Sequence, residues 1–154
     1  MSPQDPLPKE VLARIGVEKT RRYEVTARDV RRFAQAIGAP DPAVSSNGSL
    51  VAPALFCQVF MFEDVPAEEL PADGSPNELD VPVPARRTVG GGSDFEVLGL
   101  VHSGDVMTVR SKLKDVITKE GKSGTLYLVV VETSFNNQLG EPVARETATY
   151  VKRT

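Results

Sequence analysis

The chain is short of several residue types, and each shortage excludes something. It has one cysteine, Cys57, one histidine, His102, and no tryptophan in 154 residues. A single cysteine cannot close an internal disulfide, and one cysteine with one histidine cannot build a Cys/His metal cluster, so no metal is expected. There is no excess of positive charge: 18 basic against 21 acidic residues leave a net charge of −3, which gives no electrostatic footprint for nucleic acid or an anionic membrane. No apolar run approaches the ~18 residues of a membrane span, and the opening MSPQDPLPKE lacks the apolar stretch of a signal peptide. A cytoplasmic protein with no nucleic-acid or membrane partner is therefore expected. The 40% apolar and 25% charged residues describe a globular chain with one hydrophobic core.

Twelve prolines and twelve glycines divide the chain into unlike halves. Up to about residue 63 the pattern reads as helical, and beyond about residue 85 as long strands. Residues 64–84 between them carry five prolines and six acidic residues. Each proline removes a backbone donor and biases its predecessor toward extended conformations. This segment reads as an irregular surface excursion of one domain spanning 1–154. A linker between two domains is the alternative, but the front half has too little apolar surface to fold alone.

The first helix is signalled by Thr26 as N-cap with Asp29 three residues on, a capping box in outline. Val30, Phe33, Ala34 and Ile37 follow at helical spacing, and Gly38 and Pro40 stop the helix. Residues 54–62 are apolar on nearly every side, broken only by Gln58. With Pro53 in the first turn and Glu63-Asp64 at the end, they predict a long helix buried all round. In the back half, residues 86–89 and 94–98 flank the triple glycine. Residues 106–119 form a long strand with Met107, Val109, Leu113 and Ile117 on one face. A loop at 120–124, a return strand at 125–136, a turn at 137–140 and a last strand at 142–153 complete an antiparallel meander. The expected fold class is α+β, a curved antiparallel sheet wrapped around a long buried helix.

Candidate chemistry is sparse. There is no G-x-S-x-G, and Cys57 within the apolar helix reads as a structural thiol. Gly90, Gly91 and Gly92 precede neither a helix nor a P-loop lysine. They read as a bulge or tight strand start, or as backbone brought close to a ligand. His102 is the one obvious general base near neutral pH, although its turn is of an exposed type. Asp41, between Pro40 and Pro42, is the other catalytic candidate, or else a turn former. The start of the second helix places backbone donors near Leu50, Val51 and Ala52, beside the Ser/Asn/Gly loop at 45–49. Pro53 lacks an N–H, so Val51, Ala52 and Ala54 are the donors available to polarise a carbonyl, unless Ser49 or its neighbours simply cap the end.

These segments in this order resemble the N-terminal-type domain of the MaoC-like dehydratases, a branch of the hot-dog fold. The resemblance is carried by YEVTARDVRRFAQAIG at 23–38, LVAPALF at 50–56, GGSDFE at 91–96, SGD at 103–105 and ETSFNNQLG at 132–140. It implies a sheet wrapped on one helix, dimerising edge to edge, and hydration of trans-2-enoyl thioesters or dehydration of the (R)-3-hydroxy product. It also implies an Asp and a His on the loop before the helix, in a pattern close to Asp-x-Asn-Pro-x-His. Laid on 39–44, the Asp position holds Ala39 and the His position Val44; Pro42 alone matches. The expectation is an acyl-thioester-binding accessory half of a hydratase, taking acyl-CoA or acyl carrier protein thioesters without a cofactor. Its partner would be a catalytic hot-dog subunit, or a second copy of itself. Leu50, Val51 and Ala52 would line one side of the ligand, Phe56 the tunnel interior, and Gly90, Gly91 and Gly92 the opposite wall. The alternatives are a self-sufficient homodimer using atypical residues, including a thioesterase with Glu63 or Asp64 as its acid, and a binding module without chemistry.

Overall fold

The computed structural model describes residues 7–61, 66–69, 81–85, 87–121 and 124–153. A short helix α1 (Lys9–Leu12) leads into strand β1 (Glu18–Glu24) and helix α2 (Ala27–Ala36). A 3-10 helix (Phe56–Met61) follows, then a second short one (Ala67–Glu69) and four strands: β2 (Arg87–Val97), β3 (Val106–Gly121), β4 (Gly124–Asn136) and β5 (Pro142–Arg153). The strands form one antiparallel sheet in the order β1-β3-β4-β5-β2, which leaves β1 and β2 as its edges. The predicted meander is β3-β4-β5.

The capping box of α2 is present. Thr26 Oγ1 accepts from the Asp29 N–H at 3.1 Å, and Asp29 Oδ2 accepts from the Thr26 N–H at 3.3 Å. Val30 and Ala34 are buried, and Phe33 packs its ring edge against Phe56 at 5.6 Å. Gly38, at φ +66, ends the helix in the left-handed conformation that favours glycine. Ile37 is exposed and caps the helix rather than extending its apolar stripe.

Four features differ from the sequence reading. First, β1 lies in a region read as helical. Five of its seven residues are charged, so no apolar alternation announces it; an edge strand tolerates such charge because one side faces solvent. Second, the expected long helix is a 3-10 helix, Phe56–Met61, that starts two residues later than read, and Phe62 lies outside the described residues. Pro53 sits before it, accepting the Phe56 N–H at 2.9 Å. Phe56, Cys57, Phe60 and Met61 are buried while Leu55 and Val59 are exposed, so it has one buried face. Third, a register shift between Leu113 and Asp115 adds a residue to β3. A bulge of this kind reverses which side chains face inward, and Val116 is buried while Ile117 is 41% exposed. Fourth, β2 runs unbroken through the glycines, with its register shift between Gly90 and Gly92. Most of 64–84 lies outside the described residues, but Val81 and Val83 are buried, so this stretch is not wholly superficial.

The concave face of the sheet is layered. Val109, Phe135 and Ala144 form one apolar row, and Leu113, Val131 and Ala148 another. Between them lies a row of Ser111, Thr133 and Glu146, all three buried. On one side of this polar row the core gathers the 3-10 helix, Val30, Leu50 and Val101. On the other it gathers Val11, Val81, Val83, Val116 and Val129.

Candidate functional site

The segment between α2 and the 3-10 helix is a small β structure. Val44 bridges Leu50, and Val51 bridges His102, both antiparallel. Between the first pair, Ser45 N–H donates to Ser49 O at 2.8 Å, and Gly48 sits at φ +85. Asn47 Oδ1 accepts from the Ser49 N–H at 3.0 Å and the Ser49 hydroxyl at 2.7 Å. The loop at 45–49 is thus a hydrogen-bonded hairpin turn.

This ladder consumes most of the donors expected to hold a carbonyl. Val51 N–H donates to Ala43 O at 2.8 Å, Ala52 N–H to Val101 O at 2.8 Å, and Leu50 N–H to Ser103 Oγ at 2.9 Å. Val51 and Ala52 are therefore corrected as free donors. Val51 is taken by Ala43 across the small hairpin, and Ala52 by Val101, which lies some fifty residues away in the sequence. The Ala54 N–H has no acceptor among the described residues. Leu50 and Ala52 are core side chains, and Val51 is half-buried on the opposite face.

Phe56 is fully buried, in edge contact with Phe33 and with Phe60 at 5.5 Å, while Tyr23 stacks on Phe60 at 5.0 Å. Gly91 occupies the bulge of β2; a Cβ there would lie 2.9 Å from Thr149 O and 3.0 Å from Val151 Cγ2. Gly92 has φ +140. The bulge reading of the triple glycine is the observed one, and the three residues lie exposed on the edge strand.

Asp41 is exposed in the loop after α2. His102 is held in a structured turn: its N–H donates to Asp105 Oδ2 at 2.7 Å, and its Nδ1 lies 3.9 Å from the same oxygen. Asp105 Oδ1 accepts from Gln138 Nε2 at 3.0 Å. His102 is thus not isolated on a loop tip but lies in register with Val51, with about a third of its side chain exposed. Cys57 is buried, and burial pushes its thiol up to about 12, which makes it inert. Glu63 and Asp64 lie outside the described residues.

One cluster was missed by the sequence reading. Glu146, on the concave face of β5, is 6% exposed. Its Oε1 accepts from Gln58 Nε2 of the 3-10 helix at 3.2 Å and from the hydroxyl of Ser93 on β2. The carboxyl therefore ties the helix to the glycine-containing strand through β5. The signal was available: in residues 144–150 of the last strand, Glu146 shares its phase with Ala144, Ala148 and Tyr150, a carboxyl in an otherwise inward-facing set.

A family model described as FAS1-like, dehydratase domain region, matches residues 13–146. Among solved structures, the chain is similar to a MaoC-like dehydratase from Rhodospirillum rubrum (TM-score 0.61, 21% identity, covering 90% of this chain and 92% of that one). It is similar to the HadBC (3R-hydroxyacyl-ACP dehydratase) complex from Mycobacterium tuberculosis (TM-score 0.63, 22% identity, 90% and 96% covered). It is also similar to the ChsH1-ChsH2 complex from the same organism (TM-score 0.66, 17% identity, 94% and 90% covered). No curated protein sequence matches the chain. The shared fold is the hot dog, with five antiparallel strands among the described residues.

Proposed function

The chain belongs to the FAS1-like dehydratase family, and from that premise we propose that it is the acyl-thioester-binding, non-catalytic half of an (R)-specific enoyl-thioester hydratase or 3-hydroxyacyl dehydratase. The observation that carries this reading is the loop after α2. Where the family resemblance puts the proton-handling Asp and His, this chain has Ala39 and Val44, neither of which can hold or release a proton. The Ala39 N–H folds back onto Ala34 O at 2.9 Å, and Val44 is pinned by its bridge to Leu50 with its side chain 67% exposed. The ligand would lie between the segment from Leu50 to Phe56 and the Gly90–Gly92 backbone, with the Ala54 N–H as donor to the thioester carbonyl.

A second subunit fits the surface. β2 is an edge strand, and Val89, Val97, Leu98 and Leu100 on and just after it are exposed, as are Leu55 and Val59 on the outward side of the 3-10 helix. Unpaired strand edges with apolar side chains are ordinarily covered by another chain. Two of the similar structures are named as complexes. The partner is a hot-dog subunit bearing the Asp/His loop, or a second copy of this chain.

The second reading, a self-sufficient enzyme, is favoured by one observation: Asp105 lies beside His102 Nδ1 and is itself held by Gln138, an arrangement that can orient an imidazole as a base. The purified chain with crotonyl-CoA separates the two readings. General acid–base catalysis contributes ~10²–10⁴-fold, so the chain alone is expected to hydrate at a rate close to the uncatalysed background. Turnover at ~1 s⁻¹ or above, abolished by His102→Ala, would overturn the accessory role in favour of the second reading.

A further inference from the structure

The outer face of the sheet, opposite the one on which the 3-10 helix packs, carries a cleft of about 250 Å³. It lies where β3, β4 and β5 run side by side. Arg110 stands in register with Ser134, and Ser134 with Arg145. The next row sets Lys112 beside Glu132 and Glu132 beside Thr147, and Glu18 closes the β1 end. Thr133 and Glu146 also border the cleft, but their side chains turn to the concave face, where they meet Ser111 and Gln58.

A chain of net charge −3 gathers cations here. Both carboxylates are already engaged: Glu18 Oε1 lies 3.7 Å from Arg110 Nε, and Glu132 takes Lys112 at 3.1 Å and Lys114 at 2.6 Å. Four cations against two carboxylates leave an excess of two positive charges. The Arg145 side chain has no ion pair or hydrogen bond among the described residues, and Glu96, in register with it on β2, lies outside the cleft and does not pair with it. The hydroxyls of Ser134 and Thr147, both half-buried, also have no hydrogen-bond partner among the described residues. The unused capacity is therefore mostly donor: the whole Arg145 fork, the remaining N–H groups of Arg110 and two hydroxyls. The cleft lacks an acceptor of negative charge.

We propose that this cleft binds a phosphate group, free or borne on a small monoester, between Arg110 and Arg145 and above Ser134. The proposal does not rest on the acyl-thioester reading. Neighbouring strands lie ~4.8 Å apart, so the two arginines start ~10 Å apart and lean over the serine between them. A planar carboxylate offers two oxygens along one direction. A tetrahedral phosphate offers three or four, which suits donors arriving from three strands, and its charge of about −1.5 to −2 at pH 7 matches the local excess. Arginine forks bind phosphate oxygens in pairs, a geometry that an ammonium lacks. With a water's share of volume at ~30 Å³, the cleft has room for about eight, the scale of a small phosphate ester.

The test is titration of the full chain with inorganic phosphate, glycerol 3-phosphate and acetate, followed by amide NMR shifts at constant ionic strength so that screening is held fixed. Phosphate is expected to saturate with a Kd of ~0.1–1 mM, with the largest shifts at Arg110, Ser134 and Arg145. Arg145→Gln should weaken it ~10-fold or more. If that variant does not fold, Arg145→Lys serves: it keeps the charge but loses the fork, and still weakens binding several-fold. Arg31→Gln, which removes an exposed arginine of α2, should leave the affinity unchanged. Tighter binding of glycerol 3-phosphate than of phosphate identifies a monoester as the ligand, and the reverse identifies free phosphate. Absence of saturation by both overturns the proposal, as does equal binding of acetate or equal weakening by Arg31→Gln and Arg145→Gln, either of which reduces the cleft to general surface charge.

Discussion

At the scale of single residues, burial decides what a group can do. Cys57 and Glu146 both sit in the interior, but the thiol is a small hydrophobe there while the carboxyl needs partners. Loss of solvation alone raises Cys57 from an ordinary 9.0 to about 12. A raised folded-state value means that the native protein keeps the proton while the unfolded chain releases it. The stability held by the thiol is therefore fully present below about pH 9 and is lost progressively as pH rises toward 12. Native protein at pH 8 is expected to resist a thiol-specific colorimetric reagent and to react stoichiometrically once unfolded in guanidinium. Rapid labelling of the native state would show the thiol to be accessible. Glu132 is the contrasting case. On the outer face of the sheet Lys114 Nζ lies 2.6 Å away and Lys112 Nζ 3.1 Å, and together they hold its carboxyl below the usual range. Both lysines are about half exposed, and pairs of this kind contribute little, about 0–1 kcal/mol.

At the scale of elements, two small devices set what the larger ones present. The capping box closes two donors of α2 at once, and α2 in turn holds Val30 and Phe33 against the 3-10 helix. Thr26→Ala removes the acceptor for the Asp29 N–H and is expected to cost about 1 kcal/mol. Urea unfolding should show a lower midpoint at unchanged slope, and a midpoint within error of the parent would mean that water caps the helix equally well. The bulges work by register. The extra residue near Asp115 brings Val116 into the second cluster in place of Ile117, and the one at Gly91 brings the β2 backbone close to β5. Any side chain at Gly91 would press on Thr149 O, so bulky substitutions there disturb strand pairing as well as any ligand wall. Ala52, 7% exposed in the core, shares that difficulty, since overpacking costs ~1–3 kcal/mol.

At the scale of the whole molecule, the sheet has two unequal edges. β1 is charged and flanked by α1 and α2 in sequence, whereas β2 carries the exposed apolar side chains. Association through β2 would extend the sheet and pair that strand's free backbone groups. Sedimentation velocity at micromolar concentration is expected to give a dimer, either of this chain alone or with a hot-dog partner supplied in equal amount. A monomer under both conditions would remove the basis for an accessory subunit.

The sequence by itself determined what depends on local chemistry. The Thr26-to-Asp29 cap, the Gly38 stop, the hairpin between β3 and β4 and the inward stripe of Met107, Val109 and Leu113 follow from side-chain type and spacing. So does the absence of a proton-carrying pair at positions 39 and 44. Tertiary structure decided whatever depends on a partner distant in the chain. The charged segment at 18–24 becomes a strand only because β3 pairs with it, and Leu50 and Ala52 cease to be donors because Ser103 and Val101 come alongside. Val116 replaces Ile117 because a bulge is a property of two strands and not of one. Glu146 acquires meaning only when Gln58 and Ser93, 88 and 53 residues away, meet it in the interior, since a carboxyl in a strand is ordinary until its neighbours exclude water from it.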